Sequence, residues 1–263
     1  MKHPAGNTGR DVILGFSFKM YFGYRETLDW CARVRQIATA SPSVADGAVR
    51  LFVMPSFPFL LPVISIFRDT PIEVGAQDLY SEDGGPFTGE VSGRALAEIG
   101  CRLVEVGHSE RRRLFGETEE VVALKVAAAL RNGLRPVICV GEEAPVGPNE
   151  ACRRSIKQIE SALARATPGA SVVIAYEPLW AIGADEPASE EHISEVCQGL
   201  RDFMSSMRSG ENDRVIYGGS AGPGLLERLG NSVDGLFLGR FVHDPDALEA
   251  VLDEAGRVSS QVR

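Results

Sequence analysis

The sequence predicts a single (β/α)8 barrel, and three observations carry that expectation. Short apolar, β-branched runs alternate with longer helical patterns along all 263 residues. The alternation occurs eight times, at about thirty residues per unit, which is a strand, a helix and two loops. The runs are apolar throughout, as parallel strands covered on both faces must be. No composition break or linker divides the chain, so 1–263 reads as one domain, with flexible ends expected at 1–10 and 257–263. A doubly wound open sheet shares the same alternation, and the pattern alone leaves it open. The lack of G-x-G-x-x-G after the first strand weighs against its dinucleotide-binding form.

The first strand is expected over 12–18, followed by a helix over 25–38 with Leu28, Val34 and Ile37 on its apolar side. A strand at 51–54, a Pro-rich turn and a helix near 62–67 follow. The third strand is 72–77, with a Gly-rich loop and a short helix near 94–99; the fourth is 103–106. A helix over 118–132 stops where Asn132-Gly133 supplies a left-handed end. Strand 136–140 leads to a helix over 150–165, and strand 172–176 to a long loop. The next helix starts at Ser189, an N-cap residue with Glu190 and Glu191 in the first turn. Strand 214–217, helix 225–229, strand 236–238 and a helix over 245–255, with Pro245 in its first turn, complete the pattern.

Composition removes several function classes. Lys and Arg number 27 against 36 Asp and Glu, so 27 − 36 gives −9, and the pI near 5.1 lacks the basic face a nucleic-acid binder needs. Cys31, Cys101, Cys139, Cys152 and Cys197 form no C-x-x-C pair, and read as thiols in a reducing cytosol. His3, His108, His192 and His243 are scattered and none lies in H-E-x-x-H, so no zinc site is expected. The stretch 51–67 is too short and too rich in proline for a membrane span, and 1–10 has no apolar signal core. The reading is a cytoplasmic protein with no membrane or nucleic-acid partner.

A barrel places its chemistry where strands end and the following loops begin. Ser17 and Lys19 stand after strand one, His108 and Glu110 after strand four, and Glu177 after strand six. Gly218, Gly219 and Ser220 follow strand seven; Gly239 and Arg240 follow strand eight. Each has an ordinary reading alone: a solvated lysine, a structural histidine, a glutamate ending a strand, a common Gly-Gly-Ser turn. Together on one face they suit proton transfer beside a carbonyl. A carboxylate removes a carbon-bound proton while an imidazole and an ammonium stabilise the oxyanion, and the glycine turns hold a phosphate. This chemistry calls for no cofactor and no metal.

Those residues sit in stretches that resemble the triosephosphate isomerase family along nearly the whole chain. They are F-K-M (18–20), V-G-A-Q (74–77), F-T-G-E-V-S (87–92), V-E-V-G-H-S-E-R-R (104–112), F-G-E-T (115–118), C-V-G-E (139–142), A-Y-E-P-L-W-A-I-G (175–183), Y-G-G-S (217–220) and D-G-L-F-L-G (234–239). The resemblance implies a TIM barrel and a cofactor-independent aldose/ketose-phosphate isomerase acting through an enediolate. It implies Lys19 as electrostatic clamp, His108 as neutral electrophile, Glu177 as base and Glu110 as an acid beside the first two. Gly183, Ser220 and Gly239 would hold phosphate. Residues 178–188 would form a closing lid, including Pro178 and Trp180 near the first hinge and the tip Ala184, Asp185, Glu186 and Pro187. Tyr217 and Ser220 would latch it. The family is usually a homodimer, so the third loop, with Thr88 and Glu90, would face a partner subunit.

The chain departs from the family pattern where the substrate would lie. Ser17 stands where the family has Asn in N-x-K, the lid tip is A-D-E-P in place of T-G-K-T, and S-A-G at 220–222 replaces S-V-N. Arg240 replaces the second Gly after strand eight. Arg240 could clamp phosphate with a bidentate pair, or gate the pocket sterically. S-F-K-M with a G-R ending resembles the erythrulose-phosphate isomerase branch of erythritol catabolism, which implies conversion of L-erythrulose 1-phosphate to D-erythrulose 4-phosphate. The alternatives are an ordinary triosephosphate isomerase of glycolysis and a non-catalytic sugar-phosphate binder.

Overall fold

Parallel pairing runs all the way round the sheet. The computed structural model describes residues 11–167, 169–182, 188–207 and 213–261. Within them β1 (Val12–Ser17), β2 (Val49–Met54), β3 (Glu73–Ala76), β4 (Leu103–Val106), β5 (Arg135–Val140), β6 (Val173–Tyr176), β7 (Arg214–Tyr217) and β8 (Gly235–Leu238) form a closed barrel in sequence order. β1 pairs with β2 on one side and with β8 on the other, so the open-sheet alternative is excluded. The helices are α1 (Tyr24–Ala40), α2 (Pro42–Ala45), α3 (Leu60–Phe67), α4 (Gly93–Ile99), α5 (Ser109–Phe115), α6 (Glu119–Arg131), α7 (Pro148–Leu163), α8 (Glu190–Met207), α9 (Leu225–Leu229) and α10 (Pro245–Gln261). No described helix is long and apolar enough to cross a membrane.

Side-chain alternation splits the strands between two cores. Ile13, Phe52, Met54, Leu103, Val137, Cys139, Val173, Ala175, Ile216 and Phe237 fill the barrel interior. The alternate residues, such as Leu14, Val53, Val104 and Ile174, pack outward against the helices. The interior is tight enough to need a glycine in β1. A Cβ on Gly15 would lie 2.1 Å from the Phe52 ring.

Several boundaries differ from the sequence reading. α10 continues to Gln261, and Val258 and Ser259 are buried, so 257–261 of the end expected to be flexible is packed helix, while 262 and 263 lie outside the described residues. Residues 1–10 lie outside the described residues. α5 was not expected, because its S-E-R-R-R-L-F has no apolar stripe and leaves Leu114 and Phe115 exposed. It forms through its ends: His108 caps the first turn and Gly116, at φ 71°, closes the last. α2 is too short to leave a periodic signal. Ser189 accepts from the His192 N–H at 3.3 Å, the expected cap of α8.

Candidate active site

One cavity of about 640 Å³ opens at the C-terminal ends of the strands. Ser17, Lys19, His108, Glu110, Glu177, Ser220, Gly239 and Arg240 all line it, so residues separated by most of the chain share one hollow.

Lys19 is held in an unusual backbone. Its φ is +46°, in the left-handed region that side chains disfavour. The Gln77 amide donates to the Lys19 carbonyl at 2.9 Å and the Ser56 hydroxyl donates to it at 3.1 Å, which fixes the turn. Its ammonium donates to Glu110 Oε1 at 2.9 Å. Burial favours the neutral amine, but the Glu110 hydrogen bond and charge outweigh it and raise the Lys19 pKa. The converse holds at Glu110: burial pushes its carboxyl up, and Lys19 brings it below the ordinary value.

His108 is the N-cap of α5, and its Nδ1 accepts from the Glu110 backbone N–H at 3.2 Å. An accepting Nδ1 places the proton of the neutral ring on Nε2, which lies 3.6 Å from Glu177 Oε2. Burial, helped by the Lys19 charge, lowers the His108 pKa to about 4. The ring is therefore neutral at physiological pH, with an N–H facing the buried Glu177 carboxyl.

Glu177 directly follows β6, its N–H donating to the Val140 carbonyl at 2.7 Å. It is 4% exposed, and its Oε2 makes no hydrogen bond among the described residues. Burial, then the negative charge of Glu105, pushes its carboxyl up to about 8. A base raised toward neutral pH is well matched to taking a proton from carbon. The following strand makes room for it: a Cβ on Gly218 would lie 2.6 Å from Glu177 Cγ.

Glu105 is the residue that the sequence reading missed. It points inward from β4, two residues after inward-facing Leu103, and borders the cavity. The signal was present: a carboxylate interrupting the apolar run L-V-E-V. Ser17 Oγ donates to Glu105 Oε2 at 2.9 Å, so the serine expected to meet substrate also meets a carboxylate. Burial raises Glu105 to about 7, against the lowering effects of Ser17 and Lys19.

The expected lid is described only at its flanks; Gly183, Ala184, Asp185, Glu186 and Pro187 lie outside the described residues. Pro178 is buried, and Trp180 Nε1 donates to Glu142 Oε1 at 2.7 Å. Ser220 Oγ donates to the Ala181 carbonyl at 2.8 Å, and the Ala188 N–H donates to Tyr217 Oη at 3.4 Å. Tyr217 and Ser220 thus touch both flanks of the segment. Thr88 and Glu90 are exposed in the third loop. No group of three or more His, Cys, Asp or Glu among the described residues is arranged to hold a metal ion.

The family model for triosephosphate isomerase matches residues 12–255. The chain is 54% identical over 257 residues to a protein of Pectobacterium atrosepticum named L-erythrulose-1-phosphate isomerase, covering 97% of this chain and 99% of that one. It is 40% identical over 260 residues to a Rhizobium etli protein of the same name, covering 95% and 94%. A triosephosphate isomerase of Chloroflexus aurantiacus is 40% identical over 240 residues, covering 88% and 93%. A closed eightfold barrel, a site at its C-terminal rim and a match across nearly the whole length lead to one conclusion: this chain is an isomerase of the triosephosphate isomerase family.

Proposed function

We propose that the chain interconverts L-erythrulose 1-phosphate and D-erythrulose 4-phosphate in erythritol catabolism. The observation that carries the chemistry is the convergence of Lys19, His108 and Glu177 on one cavity, with His108 Nε2 3.6 Å from Glu177 Oε2. The four-carbon substrate rests on the relatives of that name at 54% and 40% identity, together with the Ser17 and Arg240 departures.

In this reaction the ketone moves from C2 to C3. Glu177 takes the proton from C3, and the electron pair of that C–H bond forms the C2=C3 bond. The C2 oxygen becomes an enediolate oxygen, stabilised by the His108 Nε2–H and the Lys19 ammonium. The proton then returns to C2, the proton of the C3 hydroxyl passes to the C2 oxygen, which becomes a hydroxyl, and C3 becomes the ketone. Atoms and charge balance, so the product is an isomer. Ser220, Gly239, Arg240 and Gly183 hold the phosphate, and the 178–188 lid excludes water so that the enediolate keeps its phosphate. The protein works as a homodimer of the reducing cytosol; the five cysteines are unpaired.

The test is kinetic. kcat/KM for L-erythrulose 1-phosphate is expected to exceed that for dihydroxyacetone phosphate, and the reverse preference returns the chain to glycolysis. Glu177→Asp is expected to lower kcat by on the order of 10²-fold or more while inorganic phosphate still binds. Unchanged turnover overturns the assigned base, whereas a wild type that binds inorganic phosphate but turns over neither substrate is a sugar-phosphate binder.

A further inference from the structure

Glu105 is a carboxylate that the proton transfer above does not use. It lies 3% exposed in the barrel interior, beside Val137 and Cys139, where an idle charge is unfavourable. Its two oxygens are in different states. Oε2 accepts the Ser17 hydroxyl at 2.9 Å. Oε1 has a thiol, Cys139 Sγ, at 3.8 Å and His108 Nε2 at 4.0 Å, so it keeps capacity for a strong donor. His108 Nε2 therefore lies between two buried carboxylates, 3.6 Å from Glu177 Oε2 and 4.0 Å from Glu105 Oε1.

That arrangement meets a requirement of the substrate. The carbon that loses its proton must sit against Glu177, with its own oxygen near His108. In a four-carbon ketose phosphate this carbon also carries a hydroxymethyl group, and one C–C bond of about 1.5 Å separates the two carbons. The hydroxymethyl oxygen is thus confined to the neighbourhood of His108 and Glu177, away from the phosphate. Beside the base Glu177, whose free oxygen takes the carbon-bound proton, Glu105 borders the cavity there with an oxygen to spare. We infer that Glu105, oriented by Ser17, is a specificity-determining residue whose Oε1 hydrogen-bonds the hydroxymethyl group of the four-carbon substrate. The inference rests on the four-carbon reading given above. A three-carbon substrate has only hydrogen at that point and leaves Glu105 unsatisfied, which disfavours it. Raised to about 7 by burial, Glu105 is near half-protonated at neutral pH and can accept from or donate to the hydroxyl.

The experiment compares kcat/KM for L-erythrulose 1-phosphate and dihydroxyacetone phosphate, and reads their ratio, in the wild type, Glu105→Leu, Glu105→Gln and Ser17→Ala. Glu105→Leu is expected to lower the four-carbon over three-carbon ratio by on the order of 10–100-fold, the effect of one hydrogen bond to an ionisable group. Glu105→Gln, which keeps a donor and an acceptor, is expected to restore the ratio to within a few-fold of the wild type. Ser17→Ala leaves the buried carboxylate in place and is expected to move the ratio in the same direction as Leu, so the inference stays testable even where the Leu variant does not fold. A ratio unmoved by Ser17→Ala and by every folded Glu105 variant, with both substrates slowed alike, means that Glu105 acts only on the charge of Glu177, and overturns the inference alone. A wild type that prefers the three-carbon substrate overturns the substrate reading itself, before any variant is made.

Discussion

Glu177 and Glu105 are buried side by side at the cavity wall, and the Glu105 charge makes Glu177 harder to ionise. Glu177 is raised to about 8 and Glu105 to about 7, with burial the first cause in both. Two consequences belong to this scale. The acid limb of kcat/KM for the free enzyme is expected between about pH 7 and 8, as a property of the pair, and not near the ordinary glutamate value of about 4.3. Glu105→Gln removes one charge and is expected to move that limb to lower pH; a pH–rate profile that does not move refutes the coupling. The second consequence is stability. Between the unfolded glutamate pKa and about 8 the folded protein binds the extra proton, so stability falls as pH rises through that window. Glu177→Gln is therefore expected to raise Tm at pH 8, on the order of a few °C, while abolishing turnover. A lowered Tm would show the carboxylate to be well satisfied.

Short elements set the aim of these side chains. β1 delivers Ser17 to the interior, and the turn after it holds Lys19 at φ +46° only because Gln77 and Ser56 grip its carbonyl. α5 exists because His108 caps it, so the same residue that ends the β4 turn starts a helix and has its ring tautomer fixed. Behind α5 and α6, Lys125 donates to Asp78 and Glu117 at 2.6 Å each, and Arg111 joins the same carboxylates. Lys125 is buried, so Lys125→Met is expected to destabilise by about 3–5 kcal/mol by leaving Arg111 alone to balance two buried acids, measured by denaturant unfolding. At the other flank, Tyr217→Phe removes the acceptor of the Ala188 N–H and is expected to lower kcat/KM roughly 10-fold with little change in Tm. No change in kcat/KM would detach Tyr217 from lid closure.

Across the whole molecule, several large apolar side chains stand exposed near the ends of β1 and β2 and in the third loop. Met20 is 92% exposed, with Tyr21 at 55%, Tyr24 at 52% and Leu61 at 62%, and Phe87 stands in the third loop near Thr88 and Glu90. Exposed apolar side chains clustered in sequence near the ends of β1 and β2 suit burial against a second copy. Light scattering is expected to give twice the 28.3 kDa chain mass. Met20→Asp is expected to shift it toward the monomer and to lower activity, because Met20 adjoins Lys19. A monomeric wild type with full activity would overturn this assembly.

Local physics wrote much of this into the chain. Apolar runs of the right length, turn residues between them and the caps at Ser189 and Asn132-Gly133 determine strands and helices without reference to the rest of the molecule. The rim position of Lys19, His108 and Glu177 follows from where those strands stop. The helix after His108 was hidden because its stability comes from its ends, not from an apolar stripe. The packing of 257–261 was hidden because what buries Val258 and Ser259 is the rest of the fold. Closure belonged to tertiary structure as well: only pairing of β8 with β1, distant in sequence, separates a barrel from an open sheet. So did the meeting of Ser17 with Glu105, 88 residues apart, since a strand's alternation says which way a side chain points but not which carboxylate it will face across the interior.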